Sequence, residues 1–234
     1  MRSAFLAAGL ICAPAVSAAC DVALLLALDT SGSVDAREYD IQRGGLATAL
    51  RDGSVAEALV RSSAHVAVLQ WTGSSRQKVT IPWTKIATFE DVEHLAGLIE
   101  RDARVWKNFS TAIGEALHVA HDVFEAGPEC RRRILDVSGD GTSNEGISPR
   151  KVHPVLRQDG IVVNGLVIEG SEEDLTGYFW ENVISGEGAF VVTANTFEDY
   201  PRRIREKLLR EIVPRYSDSG PVGRQPARFV ITAE

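Results

Sequence analysis

Apolar runs of strand length alternate along this chain with stretches in which apolar residues return every three or four positions. Val22 to Leu28 is almost continuously apolar, as a strand covered on both faces must be. His65 to Trp71, Arg133 to Ser138 and Ile161 to Ile168 repeat the pattern, and Ala189 to Thr193 is a shorter version. Gln77 to Trp83 alternates instead, follows a Thr72-Gly-Ser-Ser turn and carries Pro82, the marks of a sheet edge. Helical periodicity fills the gaps. Asp35 to Arg51 has a partial stripe of Tyr39, Ile41, Leu46 and Leu50 and is stopped by Gly53, with a further turn from Ser54 to Val60. Thr88 caps a helix from Phe89 to Asp102, with Val92, Leu95, Leu98 and Ile99 on one face. Thr111 to Phe124, Pro149 to Gln158, Glu172 to Ile184 and Phe197 to Ile212 supply the others. Strands and helices alternating in this way predict an α/β fold: a single open, doubly wound, mostly parallel sheet with helices on both faces. Ligands of such sheets bind at the carboxyl ends of the strands, near the point where strand order reverses.

The ends of the chain do not follow this pattern. Arg2, the apolar run Phe5 to Ile11 and the small residues Ala15 to Ala19 have the three parts of a secretory signal peptide over residues 1–19. That apolar run is too short to span a bilayer, and no later stretch approaches the ~20 residues a span needs. The domain itself covers 20–213, and residues 214–234, rich in Ser, Gly, Pro and Arg, form an extended or disordered extension. A net charge of −7 argues against general affinity for nucleic acid or anionic membrane, so an acidic group would be bound only through a cation. Cleavage after Ala18 or Ala19 leaves two cysteines, Cys20 and Cys130, in a secreted or periplasmic setting where pairing is expected. Each lies just upstream of a buried strand, so a bridge requires only that those strands be neighbours. Lipid attachment at Cys20 is the lesser reading, because Ser17 stands where a lipid-attachment box usually has Leu.

Candidate chemistry gathers at three strand or helix ends. The first strand runs into Asp29-Thr-Ser-Gly-Ser, whose Asp29, Ser31 and Ser33 alternate around a turn that Gly32 permits. Taken alone, those residues read equally as a helix cap and as a set of oxygen ligands. Thr111 opens a helix after the loop at 104–110, and Asp140-Gly141 follows the strand ending in Val137-Ser138. Two carboxylates and three hydroxyls, without sulfur or imidazole, suit magnesium, manganese or calcium and suit zinc or copper poorly.

Asp-x-Ser-x-Ser, then Thr111 in Thr-Ala-Ile-Gly-Glu-Ala-Leu, then Asp140-Gly, in that order, resemble the metal-ion-dependent adhesion site of von Willebrand factor type A domains. The resemblance covers residues 21 to 212, and the chain is also similar to small secreted bacterial proteins of that fold whose role is undefined. It implies that Ser31 and Ser33 bind a divalent cation, most often Mg2+, directly. Asp29 and Asp140 would act mostly through water or hydrogen bonds, and Thr111 would enter or leave the inner shell. It implies a protein partner that presents Asp or Glu to the cation. It also makes neighbours of the strands that follow Cys20 and Cys130, which supports the bridge. The sequence departs from the family at Ile113, where relatives often have a second Thr.

Binding is favoured over catalysis because no general base or nucleophile with an orienting partner stands nearby. The alternatives are a magnesium-dependent phosphohydrolase, which usually needs a second Asp where Ser31 stands, and a scaffold whose metal site is vestigial. Trp106 and Phe109 flank the Thr111 loop and are candidate partner contacts. Asp136, mid-strand, is expected to be hydrogen-bonded structurally, with a role behind the metal or in catalysis as the sharper alternative. His118 and His121 lie off their helix's apolar face and read as solvent-exposed. The acidic cluster Glu169, Glu172, Glu173 and Asp174 reads as a solvated loop, with a second calcium site as the rival.

Overall fold

The computed structural model describes residues 20–107, 109–170 and 174–213. The expected signal peptide at 1–19, the expected extension at 214–234, Asn108, Glu172 and Glu173 therefore lie outside the described residues. The apolar runs all become strands: β1 (Val22–Asp29), β2 (His65–Trp71), β3 (Gln77–Lys85), β4 (Arg132–Gly139), β5 (Ile161–Ile168) and β6 (Val191–Ala194). They form one sheet in the order β3-β2-β1-β4-β5-β6. Every pairing is parallel except that of β2 with β3, which is antiparallel and leaves the alternating strand at the edge. β1 is central and all eight of its residues are buried, as its unbroken apolar run requires.

Residues of β1 divide between two cores according to the period of two along a strand. Val22, Leu24, Leu26 and Leu28 face α1 (Ala36–Arg51), α2 (Gly53–Arg61), α3 (Phe89–Glu100) and α7 (Tyr200–Ile212). Ala23, Leu25 and Ala27 face α4 (Ile113–Glu125), α5 (His153–Gln158) and α6 (Leu175–Asn182). Capping fixes where two of the helices begin: Asp35 with Glu38 for α1, and Thr88 with Asp91 for α3, each form a reciprocal capping box. Gly53 does not simply stop α1. It is the first residue of α2, whose N-cap is Asp52, so one polar residue ends one helix and starts the next. α4 begins at Ile113 rather than Thr111, which leaves Thr111 in the loop before it.

The chain leaves β1 for β2 on one side and returns to β4 on the other. The carboxyl ends of β1 and β4 are therefore the point where strand order reverses, and ligands of open α/β sheets bind at such a point. At the opposite end of the same two strands, Cys20 and Cys130 form a disulfide across a sequence separation of 110.

Candidate metal centre

β1 stays in register with β2 through its last residue, Asp29 opposite Trp71, so the carboxylate is delivered to the sheet's upper edge fully buried. There the chain turns. Ser31 N–H donates to Asp29 Oδ1 at 2.7 Å, and Val34 N–H donates to Ser31 O at 3.2 Å. The turn points both serine hydroxyls the same way, with Ser31 Oγ and Ser33 Oγ 3.2 Å apart. Ser33 Oγ donates to Asp140 Oδ1 at 2.6 Å, joining the β1 turn to the residue that follows β4. Gly139 lets the two strand ends close: a Cβ there would lie 3.1 Å from Asp29 Oδ2. Ser33 is exposed while Asp29, Ser31 and Asp140 are buried, so the cluster is a shallow well open at one lip.

Thr111, 5 % exposed, stands in a loop that is hydrogen-bonded to the β1 turn through other residues. Gly32 N–H donates to Phe109 O at 2.7 Å, and Arg104 Nη2 donates to Thr30 O and Ser31 O at 2.9 and 2.8 Å. On the other side, Asn144 Oδ1 accepts from Thr111 N–H at 2.9 Å, while Thr111 O accepts from Asn144 N–H at 2.9 Å. Glu145 accepts from the Ser110 hydroxyl and, at 3.1 Å, from Ser74 N–H. Ser143 Oγ accepts from Ile113 N–H at 3.2 Å, the cap that Ala112 has no side chain to provide. Ile113 itself is wholly buried among the apolar side chains under α4, where it packs rather than hydrogen-bonds through its side chain. The loop at 141–148 lies close: a Cβ at Gly114 would overlap the carbonyl oxygen of Ile147.

These contacts leave several buried polar atoms without a partner, one of them a carboxylate oxygen of the cluster itself. Asp29 Oδ2 is buried with no hydrogen-bond partner. Burial, and then the negative charge of Asp140, push the Asp29 carboxyl up to about 7, against the opposing pull of Ser31 and Arg104. An unpartnered carboxylate oxygen, a second carboxylate and two hydroxyls, all from hard oxygen donors, fit a small divalent cation. The donor set passes that test.

The other candidates are placed as follows. Phe109 is 37 % exposed with the Arg76 guanidinium 3.8 Å over its ring, and Trp106 is half-buried. Asp136 is structurally paired: Lys207 Nζ of α7 lies 2.6 Å from its Oδ2 and 2.6 Å from Glu211 Oε1, all three buried. His118 is exposed, but His121 is not free in solvent; its Nε2 lies 2.6 Å from Asp159 Oδ2. Glu169 accepts from Thr176 Oγ1 at 2.6 Å and Asp174 caps α6, so both have local structural roles. Sequence reading missed Arg104, Ser143, Asn144, Glu145 and Lys207. The signal for the middle three was the polar run Thr-Ser-Asn-Glu directly after Asp140-Gly141.

A family profile described as "Protein of unknown function (DUF1194)" matches residues 19–216. No curated protein matches the chain. Among solved structures, proximal thread matrix protein 1 from the mussel byssus is similar at TM-score 0.63 and 19 % identity, covering 82 % of this chain and 47 % of that one. A further structure of that protein, at TM-score 0.59, is described as having a zinc-occupied MIDAS motif; identity is 18 %, and coverage is 84 % of this chain and 47 % of that one. A von Willebrand factor type A protein from Catenulispora acidiphila is similar at TM-score 0.59 and 17 % identity, covering 83 % of this chain and 43 % of that one. This chain thus spans less than half the length of the mussel and Catenulispora proteins. At such identities the likeness speaks to the fold.

Proposed function

The chain belongs to the DUF1194 family and has the von Willebrand factor type A fold, and on that footing we propose that it is a secreted, metal-dependent protein-binding module. Asp29, Ser31, Ser33, Thr111 and Asp140 hold a divalent cation, Mg2+ first among the choices and Mn2+ or Ca2+ after it. When bound, the cation supplies an open coordination position that takes a carboxylate oxygen from an Asp or Glu of the partner. The observation that carries this reading is the buried, unpartnered Asp29 Oδ2 beside Asp140 and the two serines. Neutral hydroxyls nearest the cation leave much of its charge uncompensated, which favours an anionic ligand from outside. The half-open position of Phe109, braced by Arg76, and of Trp106 makes them the rim that the partner meets.

A signal peptide at 1–19, as the sequence pattern suggests, would put this activity outside the cytoplasm, and no helix among the described residues is long and apolar enough to cross a membrane. The test is direct. Calorimetry should give one magnesium or manganese ion bound at the oxygen cluster, lost in Asp29→Ala with the fold retained by circular dichroism. Partner capture should need the same ion. Capture that persists in excess chelator ends the proposal, and turnover of an aryl phosphate that vanishes in Asp29→Asn replaces it with phosphoryl transfer.

A further inference from the structure

At the end of the sheet opposite the oxygen cluster, three side chains with softer donor atoms meet. Cys20 precedes β1, His65 opens β2 and Cys130 precedes β4, and the sheet order β2-β1-β4 sets those three strand ends side by side. The two Sγ atoms and a ring nitrogen of His65 all lie within 4.8 Å of one another, with Cys20 Sγ 3.1 Å from His65 Nδ1. All three residues are partly exposed, so solutes reach them. The backbone around them is held without help from the sulfur–sulfur bond. Arg131 N–H donates to Cys20 O at 3.0 Å, Asp21 N–H to Ser62 O at 2.9 Å, and Arg132 N–H to Asp21 O at 2.9 Å.

A disulfide that only ties two strands together has no need of an imidazole against one of its sulfurs. Two thiolates and an imidazole, by contrast, are three of the four ligands of a tetrahedral zinc site. Bonds of about 2.3 Å to sulfur and about 2.0 Å to nitrogen put such ligand atoms roughly 3.5 Å apart. The Cys20–His65 pair is already near that spacing, the two sulfurs have to separate once reduced, and Cys130 Sγ lies within 4.8 Å of the imidazole. Cys20 and Cys130 both stand in loops just before their strands, where a small displacement leaves the sheet pairing intact.

We propose that the reduced chain binds a thiophilic divalent cation, zinc above all, through Cys20 Sγ, Cys130 Sγ and His65 Nδ1, with water as the fourth ligand. The disulfide and the metal site are two states of one position, chosen by redox conditions. A dithiol reductant passes two electrons and two protons to the disulfide and is itself oxidised to a disulfide, leaving two thiols. Cation binding then releases both thiol protons to solvent. This site shares no residue with the oxygen cluster, and its donors discriminate against magnesium as strongly as the oxygen cluster suits it.

Cobalt(II) is the probe. In the full chain carrying Cys12→Ser, reduced with a phosphine, cobalt should produce a thiolate-to-metal charge-transfer band that saturates at one equivalent and disappears when zinc is added. The oxidised chain should give no band, and cobalt bound by oxygen ligands alone gives none, so failure here and failure of the adhesion proposal are separate results. His65→Ala should weaken cobalt binding by roughly tenfold or more, and Cys130→Ser should abolish the band. If reduction unfolds the chain, zinc should restore its far-ultraviolet circular dichroism. The proposal is overturned by a folded reduced chain without the band, by a band of unchanged affinity in His65→Ala, or by an unfolded reduced chain that zinc does not restore.

Discussion

Asp29 brings a carboxylate to a fully buried position where one oxygen has no partner and Asp140 opposes its charge. Such an arrangement costs stability in the metal-free protein, since a buried charge without compensation is unfavourable. Asp29→Asn removes the charge while keeping the side chain's shape and Oδ1, the acceptor for Ser31 N–H. Metal-free Asp29→Asn should therefore be more stable than the parent, by about 1 kcal/mol in denaturant melts, and should lack the stabilisation that magnesium is expected to give the parent. A variant that loses stability in the metal-free state would mean that the carboxylate is compensated in a way the orphaned oxygen does not indicate. The position of this residue at the end of a buried strand was legible from sequence because it depends on a local pattern, an apolar strand ending in Asp-x-Ser-x-Ser. Its deficit was not legible, because that depends on Gly139 closing from a strand more than a hundred residues away in the chain.

At the scale of elements, β1, β2, β4 and β5 were readable because strands buried on both faces are mostly apolar. Helix boundaries were less so. Thr111 reads as the first residue of a helix, yet α4 starts two residues later, at Ile113, whose N–H donates to Ser143 Oγ of a distant loop. Helix α7 hides a more consequential feature. Counting from Ile204, its buried stripe runs through Lys207, Leu208 and Glu211, so a lysine and a glutamate occupy positions that periodicity assigns to the core. An i,i+4 Lys–Glu pair reads as surface decoration, and only Asp136 on β4 reveals otherwise. Burial, and secondarily the charge of Asp136, raise the Glu211 carboxyl from 4.5 to about 7, although Lys207 and Asn164 pull it the other way. The sign follows from proton counting: between those values the folded chain holds a proton that the unfolded chain has lost. Its contribution to stability is therefore full below pH 4.5 and declines as the pH rises to about 7. Glu211→Gln, which keeps an acceptor for Lys207 and Asn164, should flatten that decline in melts taken across the interval. An unchanged slope would place the titration elsewhere.

For the molecule as a whole, the open, mostly parallel sheet follows from the alternation of strands and helices, whereas the strand order that sets β1 beside β4, and with it the disulfide, does not. The bond between Cys20 and Cys130 closes a loop of 110 residues and should stabilise the oxidised chain by about 2–4 kcal/mol. Cys130→Ser should show a loss of that size in urea titrations without added metal, and a loss near zero would mean that the sheet pairing alone fixes those strand ends. One property of β1 bears on the load that the proposed binding of a partner would impose. The strand runs from the disulfide to the Asp29 turn, parallel to β2 on one side and β4 on the other. A partner pulling on the turn against an anchor at the Cys20 end would load β1 along its axis. Its hydrogen bonds to both neighbours, which lie across that axis, would then be sheared together rather than peeled one at a time. The disulfide shares the load with β4 at the anchored end. Tension applied between the two ends of β1 thus meets the stiffest direction the sheet offers, and the bond most exposed to rupture becomes the one between the protein and its partner.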